Sequence, residues 1–169
     1  MSNSKVVKFN TIIGNSPASL EEKEKFWKQA TLQAKLILEE AKEQYDACLQ
    51  RDLVEVVDGA CDVRYLQDYM NTLLDNVGVD LEHAFDMVCY NNDQKYTRNY
   101  NLALESATSH TIEGGVPSEV EEVEYEGDLY YVVKRKSDGK VMKLLGHQPP
   151  DIAAAIPSQT AEVLGDVML

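Results

Sequence analysis

Between two long stretches of helical periodicity the chain leaves only Ala47 to Asp52 for a turn, which confines those helices to an antiparallel hairpin. The first stretch opens on Ser19-Leu20-Glu21-Glu22, a capping box in which Ser19 caps and Glu22 reaches back. It carries Trp27, Ala30 or Thr31, Ala34, Leu38 and Ala41 on one stripe and is expected to run to about Leu49. The second is capped by Asp52, continues through Tyr69, Met70, Leu73 and Leu74, and stops at Gly78. Each helix bears a cluster of carboxylates. Glu39, Glu40 and Glu43 fall within about 100° of one another around the first helix axis. Glu55, Asp58 and Asp62 follow the i, i+3, i+7 rule and share one face of the second. Closing the hairpin turns both clusters towards one place.

A solvated acidic face is the ordinary meaning of one such cluster. Here both border apolar residues: Ile37, Leu38 and Ala41 beside the first, Val54, Val56, Val57, Ala60, Cys61, Val63, Tyr65 and Leu66 around the second. Acidic groups at the margin of a core are rarely left unpaired. Like charges three or four residues apart repel, by a few tenths of a kcal/mol per solvated pair and by more when partly buried. A divalent cation removes that repulsion, and Mg²⁺ prefers carboxylate and water oxygens. The two clusters together are read as a metal site.

At 169 residues the chain suits one domain with a small appendage and can bury a core without staples. A net charge of −13 argues against a nucleic-acid-binding surface, which needs a basic patch, and means that a polyphosphate would arrive with its cations. Cys48, Cys61 and Cys89 are odd in number, lack C-x-x-C spacing and sit in apolar helical contexts, which suggests reduced core thiols and a cytoplasmic location. There is no apolar signal core at the amino terminus and no run near the ~20 residues that span a bilayer, so no membrane partner is expected.

Val6 to Ile13 reads as a short apolar lead-in closed by the turn Gly14-Asn15-Ser16-Pro17. Asp80 is expected to cap a third helix containing Leu81, Ala84, Phe85, Met87 and Val88, followed by the polar run Asn91 to Lys95. Ser109 to Glu126, rich in Glu, Gly and Ser, reads as an irregular connection. Leu129 to Arg135 and Val141 to Leu145 then flank Asp138-Gly139, a hairpin signal, and the Pro-containing tail from Gly146 fits a covering segment. The expected architecture is an all-α antiparallel helix bundle over residues 1–108, with a C-terminal extension over 109–169 that holds a small β-hairpin.

The order E-E-x-x-E, then E-x-x-D with a further Asp, then Asn-x-x-Lys after the third helix, resembles the MazG-like branch of the all-α nucleoside triphosphate pyrophosphohydrolases. The phosphoribosyl-ATP pyrophosphohydrolases and the dimeric dUTPases share that plan. Asp52 to Asp62 and Asn92-Asp93-Gln94-Lys95 are particularly similar to it, and the resemblance covers roughly residues 6 to 98. Asp138-Gly139-Lys140-Val141 with Pro149-Pro150-Asp151 looks like the ending of phage and bacterial members. The resemblance implies that Glu40, Glu43, Glu55 and Asp58 bind metal, with Asp62 an additional ligand. Glu39 would support a ligand from behind or be the base that orients water, a catalytic role it would share with Glu40. Lys95 would contact phosphate and Asn92 would place the nucleotide, with Arg98 beside them. It also implies a homodimer or homotetramer, Mg²⁺ or Mn²⁺ as the cation, and a nucleoside triphosphate as substrate. Arg64 interrupts a run that is more often apolar in the family, and the stretch from Arg98 to Leu129 is longer than usual.

These residues suit cleavage between the α and β phosphates, which needs metal on the phosphate oxygens and an oriented water. No G-x-x-x-x-G-K-[ST] occurs, so a P-loop enzyme is not supported. His83, His110 and His147 are scattered and form no catalytic pattern. Tyr65, Tyr69 and Trp27 serve core packing, with base stacking the other use of such a cluster. The alternative from another class is a non-catalytic acidic helical regulator or nucleotide-binding interaction protein. A covering partner is expected over Leu66, Met70, Leu73 and Leu74, because a hairpin plus one helix makes an incomplete bundle.

Overall fold

The computed structural model describes residues 4–165. Its helices are α1 (Ser4–Ile12), α2 (Lys23–Gln50), α3 (Leu53–Asn76), α4 (Leu81–Asp93), α5 (Tyr100–Ile112) and α6 (Ser158–Leu164). Strands β1 (Tyr96–Thr97), β2 (Ser118–Tyr125) and β3 (Asp128–Arg135) form an antiparallel sheet in the order β1-β3-β2. The chain makes two compact units: one runs to Leu81 and resumes at Ala153, the other is Glu82–Ile152. The expected boundary at 108/109 falls inside α5.

The first unit is built on the α2/α3 hairpin, and its turn is tighter than expected. Arg51 takes a left-handed conformation (φ 59°) as the C-cap of α2, and Asp52 immediately caps α3. One carboxylate oxygen of Asp52 accepts from Val54 N at 3.1 Å and Glu55 N at 3.3 Å. Asp52→Ala is expected to cost about 1 kcal/mol, lowering the thermal midpoint by roughly 2–4 °C in a scanning melt. At the other end Ser19 does not cap α2. Its N–H donates to Glu22 at 3.0 Å as expected, but the helix starts at Lys23 and the Ser19 hydroxyl turns to Glu21.

The apolar stripe expected on α2 is not the buried one. Trp27 stays 47% exposed and Leu38 71% exposed, while Phe26, Gln29, Gln33 and Ala47 are buried. Phe26, Gln33, Glu40 and Ala47 recur every seven residues, so half of this seam is polar. Each buried glutamine has partners, as buried amides require. Gln29 donates to Asn15 Oδ1 and the Ser16 carbonyl, both at 2.9 Å, and accepts from Ala18 N, which fixes the turn before α2.

The lead-in segment is also helical. α1 buries Val6 and Asn10, and Asn10 donates back to the Val6 carbonyl at 3.0 Å. Val6, Ala18, Phe26, Tyr69, Leu73, Val77 and Leu164 make the core of this unit. The tail therefore completes that core. Thr160 donates to the Val77 carbonyl at 2.5 Å, and the Trp27 indole donates to the Leu164 carbonyl at 2.9 Å. The face of Leu73 is covered within the chain. The apolar side chains left exposed on the hairpin include Leu38, Tyr45 and Leu49 of α2 with Leu53, Val54 and Val57 of α3. The three cysteines are free and exposed, contrary to the expected core thiols.

In the second unit Ser109 to Glu126 is ordered as the end of α5 and strand β2, not an irregular connection. α5 shows no large apolar stripe because its buried residues, Ala103, Ser106 and Ala107, are small. Asn99 caps it, accepting from Asn101 N at 3.0 Å and Leu102 N at 3.3 Å. The hairpin is β2–β3, turned by Glu126 (φ 54°) and Gly127 (φ 83°), two left-handed residues in a row. Beyond Asp138-Gly139, the expected second strand is reduced to a single bridge between Val141 and Lys134. β2 reads as loop because it is an acidic edge strand. Its Glu121 and Glu119 pair with Lys134 at 2.7 Å and Lys136 at 3.4 Å. No described helix is long and apolar enough to cross a membrane.

Candidate active site on the helical hairpin

Two side-chain hydrogen bonds set the register of α2 against α3. Gln33 Nε2 donates to the Leu66 carbonyl at 3.1 Å, and Gln44 Nε2 to the Val56 carbonyl at 3.4 Å. Near the second anchor, Gly59 is buried against Gln44. A Cβ on Gly59 would lie 2.9 Å from Gln44 Cβ, so only glycine permits this approach. Glu40 lies between the two anchors and therefore faces the turn of α3 that runs from Asp58 to Asp62. Glu43 is one turn further along.

The electrostatics agree with that register. The Glu40 carboxyl is held above its ordinary value, first by partial loss of solvent and then by repulsion from Glu43, Asp62, Asp58 and Glu39. Residues from both helices thus act on one carboxyl. Glu39 stands nearer solvent, with Lys35 at 3.7 Å. Glu55 is in the first turn of α3 and is not among the groups acting on Glu40.

The donor chemistry fits a hard dication: carboxylate oxygens only, gathered where excess negative charge is already costly. Among the described residues, however, no three His, Cys, Asp or Glu side chains converge closely enough to hold an ion. The carboxylates share a seam without closing into a cage.

Asn92, Lys95 and Arg98 belong to the second unit. Asn92 and Lys95 are joined where α4 ends, Lys95 Nζ donating to Asn92 Oδ1 at 2.6 Å. Arg98 is engaged elsewhere, with the Asp128 carboxylate and the Tyr130 hydroxyl. Sequence reasoning missed Gln33, Gln44 and Gly59, the residues that set the seam. The signal for Gln33 is the heptad spacing of Phe26, Gln33, Glu40 and Ala47, for Gln44 its place one turn after Glu40, and for Gly59 a lone glycine inside α3.

The sequence profile of the phosphoribosyl-ATP pyrophosphohydrolase family matches residues 8–92, half of the chain. This chain belongs to that family. It is a family of nucleotide pyrophosphohydrolases, hydrolases acting on phosphoric anhydrides. The match spans α2, α3 and nearly all of α4, and so includes every carboxylate of the seam. Comparison with curated proteins and with solved structures finds no match.

Proposed function

We propose that this chain is a MazG-like enzyme that hydrolyses a nucleoside or deoxynucleoside triphosphate between its α and β phosphates. The products are a nucleoside monophosphate and pyrophosphate. The observation that carries this reading is the register of the hairpin within the family's matched segment, which brings Glu40 under the influence of Asp58 and Asp62 of α3 and of Glu43 one turn along α2. Glu40, Glu43, Asp58 and Asp62, with Glu55 from the first turn of α3, would hold Mg²⁺, or Mn²⁺ in its place. Bound there, the cation would supply charge neutralisation for the triphosphate oxygens and for the developing negative charge. Glu39, the more solvated of the pair with Glu40, is suited to accept a proton from the attacking water and orient it.

Lys95 is the better phosphate ligand of the two cations, since Arg98 already shares its guanidinium with Asp128. Asn92 holds Lys95, and the family resemblance gives it the role of meeting the nucleotide. Lys95→Ala is expected to raise KM or lower kcat/KM several-fold, leaving Mg²⁺ affinity in the absence of nucleotide unchanged. Steady-state kinetics beside a metal titration would check this, and two unaltered kinetic constants would remove Lys95 from the site.

The deciding experiment is pyrophosphate release from a panel of ribo- and deoxyribonucleoside triphosphates with Mg²⁺, repeated with chelator. Release that stops on chelation supports the proposal. No release from any nucleotide, together with nucleotide-dependent thermal stabilisation, would leave a non-catalytic nucleotide-binding interaction protein.

The active unit is proposed to be a homodimer or homotetramer joined through exposed apolar side chains of the hairpin, among them Leu38, Tyr45 and Leu49 on α2 and Leu53, Val54 and Val57 on α3. Light scattering is expected to return a multiple of 19.0 kDa. A Leu38→Glu/Val57→Glu variant should shift that mass towards the monomer.

A further inference from the structure

The three-stranded sheet buries one face under α5 and leaves the other open. Tyr96 of β1, Tyr130 and Val132 of β3, and Val123 and Tyr125 of β2 alternate onto the open face. They line an open cavity of about 360 Å³, near the lower end of the ~300–1,000 Å³ usual for small-ligand sites. The rings of Tyr96 and Tyr130 stand at 88° to each other with centroids 5.5 Å apart, so together they form a corner. Tyr125, 62% exposed, borders the same cavity.

An aromatic face carries the negative end of the ring quadrupole. A corner of such faces attracts positive charge without itself holding an ion that water must solvate. This sheet already shows the preference, for the Arg98 guanidinium lies 5.1 Å from the Tyr130 ring centroid. The surrounding charge has the matching sign. Asp93 accepts a hydrogen bond from the Tyr96 phenol, and on the open face itself Glu119, Glu121 and Asp128 outnumber the cations Lys134 and Arg98. An anionic ligand is opposed by those carboxylates and by the net charge of −13. A strongly hydrated metal ion would find rings and valines poor replacements for water. A cation whose charge is spread over methyl groups meets both the aromatic and the aliphatic walls.

We propose that this open sheet face binds a quaternary or methylated ammonium group, seated in the corner between Tyr96 and Tyr130 with Tyr125 at its side. The site lies wholly within the second unit.

The test is titration of the full chain with choline, followed by proton NMR of the choline methyl signal. A parallel titration uses 3,3-dimethylbutan-1-ol, which has the same shape without the charge. Choline is expected to bind saturably with a Kd on the order of millimolar, and the alcohol at least ~10-fold more weakly. Tyr96→Leu and Tyr130→Leu should each weaken choline at least ~5-fold and leave the alcohol unchanged. Tyr96→Phe and Tyr130→Phe keep the ring and should keep the affinity, which preserves the test if a leucine variant misfolds. Equal binding of choline and the alcohol would reduce the cavity to an apolar groove. Absence of saturable choline binding to the unmodified chain, or loss of binding in both phenylalanine variants, would overturn the proposal.

Discussion

Asp58→Asn and Glu43→Gln are each expected to lower Mg²⁺-dependent pyrophosphate release by more than ~100-fold, the upper range seen when only a supporting partner of a metal ligand is removed. The fold should survive, because both side chains are exposed and no hydrogen bond that sets the hairpin runs through them. Metal-free stability should hold or rise. Asp58 and Asp62, like Glu39 and Glu43, are like charges four residues apart, a spacing that costs roughly 0.2–0.5 kcal/mol per pair on a helix. The pH dependence gives the same sign. Glu40 has a native pKa above its ordinary 4.5, so near that pH the native state holds more protons than the unfolded chain. Stability of the metal-free protein should therefore decline as pH rises from 4.5 through the raised native value. Asp58→Asn removes one source of that repulsion and should flatten the decline. Thermal melts with chelator across this pH range, beside turnover with Mg²⁺, check both halves. Near-native turnover in either variant would sink the proposed ligand set.

The hairpin was legible in the sequence because its signals are local. Asp52 caps through its own side chain, the turn is short, and Glu55, Asp58 and Asp62 repeat at helical spacing. Glu40 senses acidic residues of both helices, although no three described carboxylates converge. Which face of α2 lies inward was not legible. The stripe through Trp27 and Leu38 is the more apolar of the two, yet the seam is built from Phe26, Gln33, Glu40 and Ala47. Buried glutamines look like solvent residues until their partners, the Leu66 and Val56 carbonyls, are known, and those come from the other helix.

The sheet failed for a related reason. Asp138-Gly139 is the stronger turn signal, but Glu126-Gly127 makes the long hairpin, with a glutamate in the left-handed region where asparagine or aspartate is more usual. Eight paired positions along β2 and β3 outweigh the local cost of that conformation. Val120 is sealed by pairing opposite Val133 beneath α5, a non-local gain that a window over Glu-rich sequence does not register.

Gly59→Val is expected to be the most damaging single change that leaves every proposed ligand in place. A Cβ there would stand 2.9 Å from Gln44 Cβ and 3.2 Å from Gln44 Cα, and neither can swing away as a side-chain tip could. The two helices must separate or slide. Overpacking of this kind costs about 1–3 kcal/mol, whereas relieving glycine's helix penalty returns less than ~1 kcal/mol. The net loss should lower the thermal midpoint by roughly 1–10 °C. Turnover should fall further than stability alone explains, since separation at Gly59 lengthens the gap between Glu43 and Glu40 on one side and Asp58 and Asp62 on the other. Metal affinity should weaken with it. Gly59→Ala, with a smaller group and a larger helix-propensity gain, should fall between the variant and the parent in all three measurements. A Gly59→Val protein that melts, binds Mg²⁺ and turns over like the parent would mean that α2 and α3 do not meet at this glycine, and the register that brings the carboxylates together would fail with it.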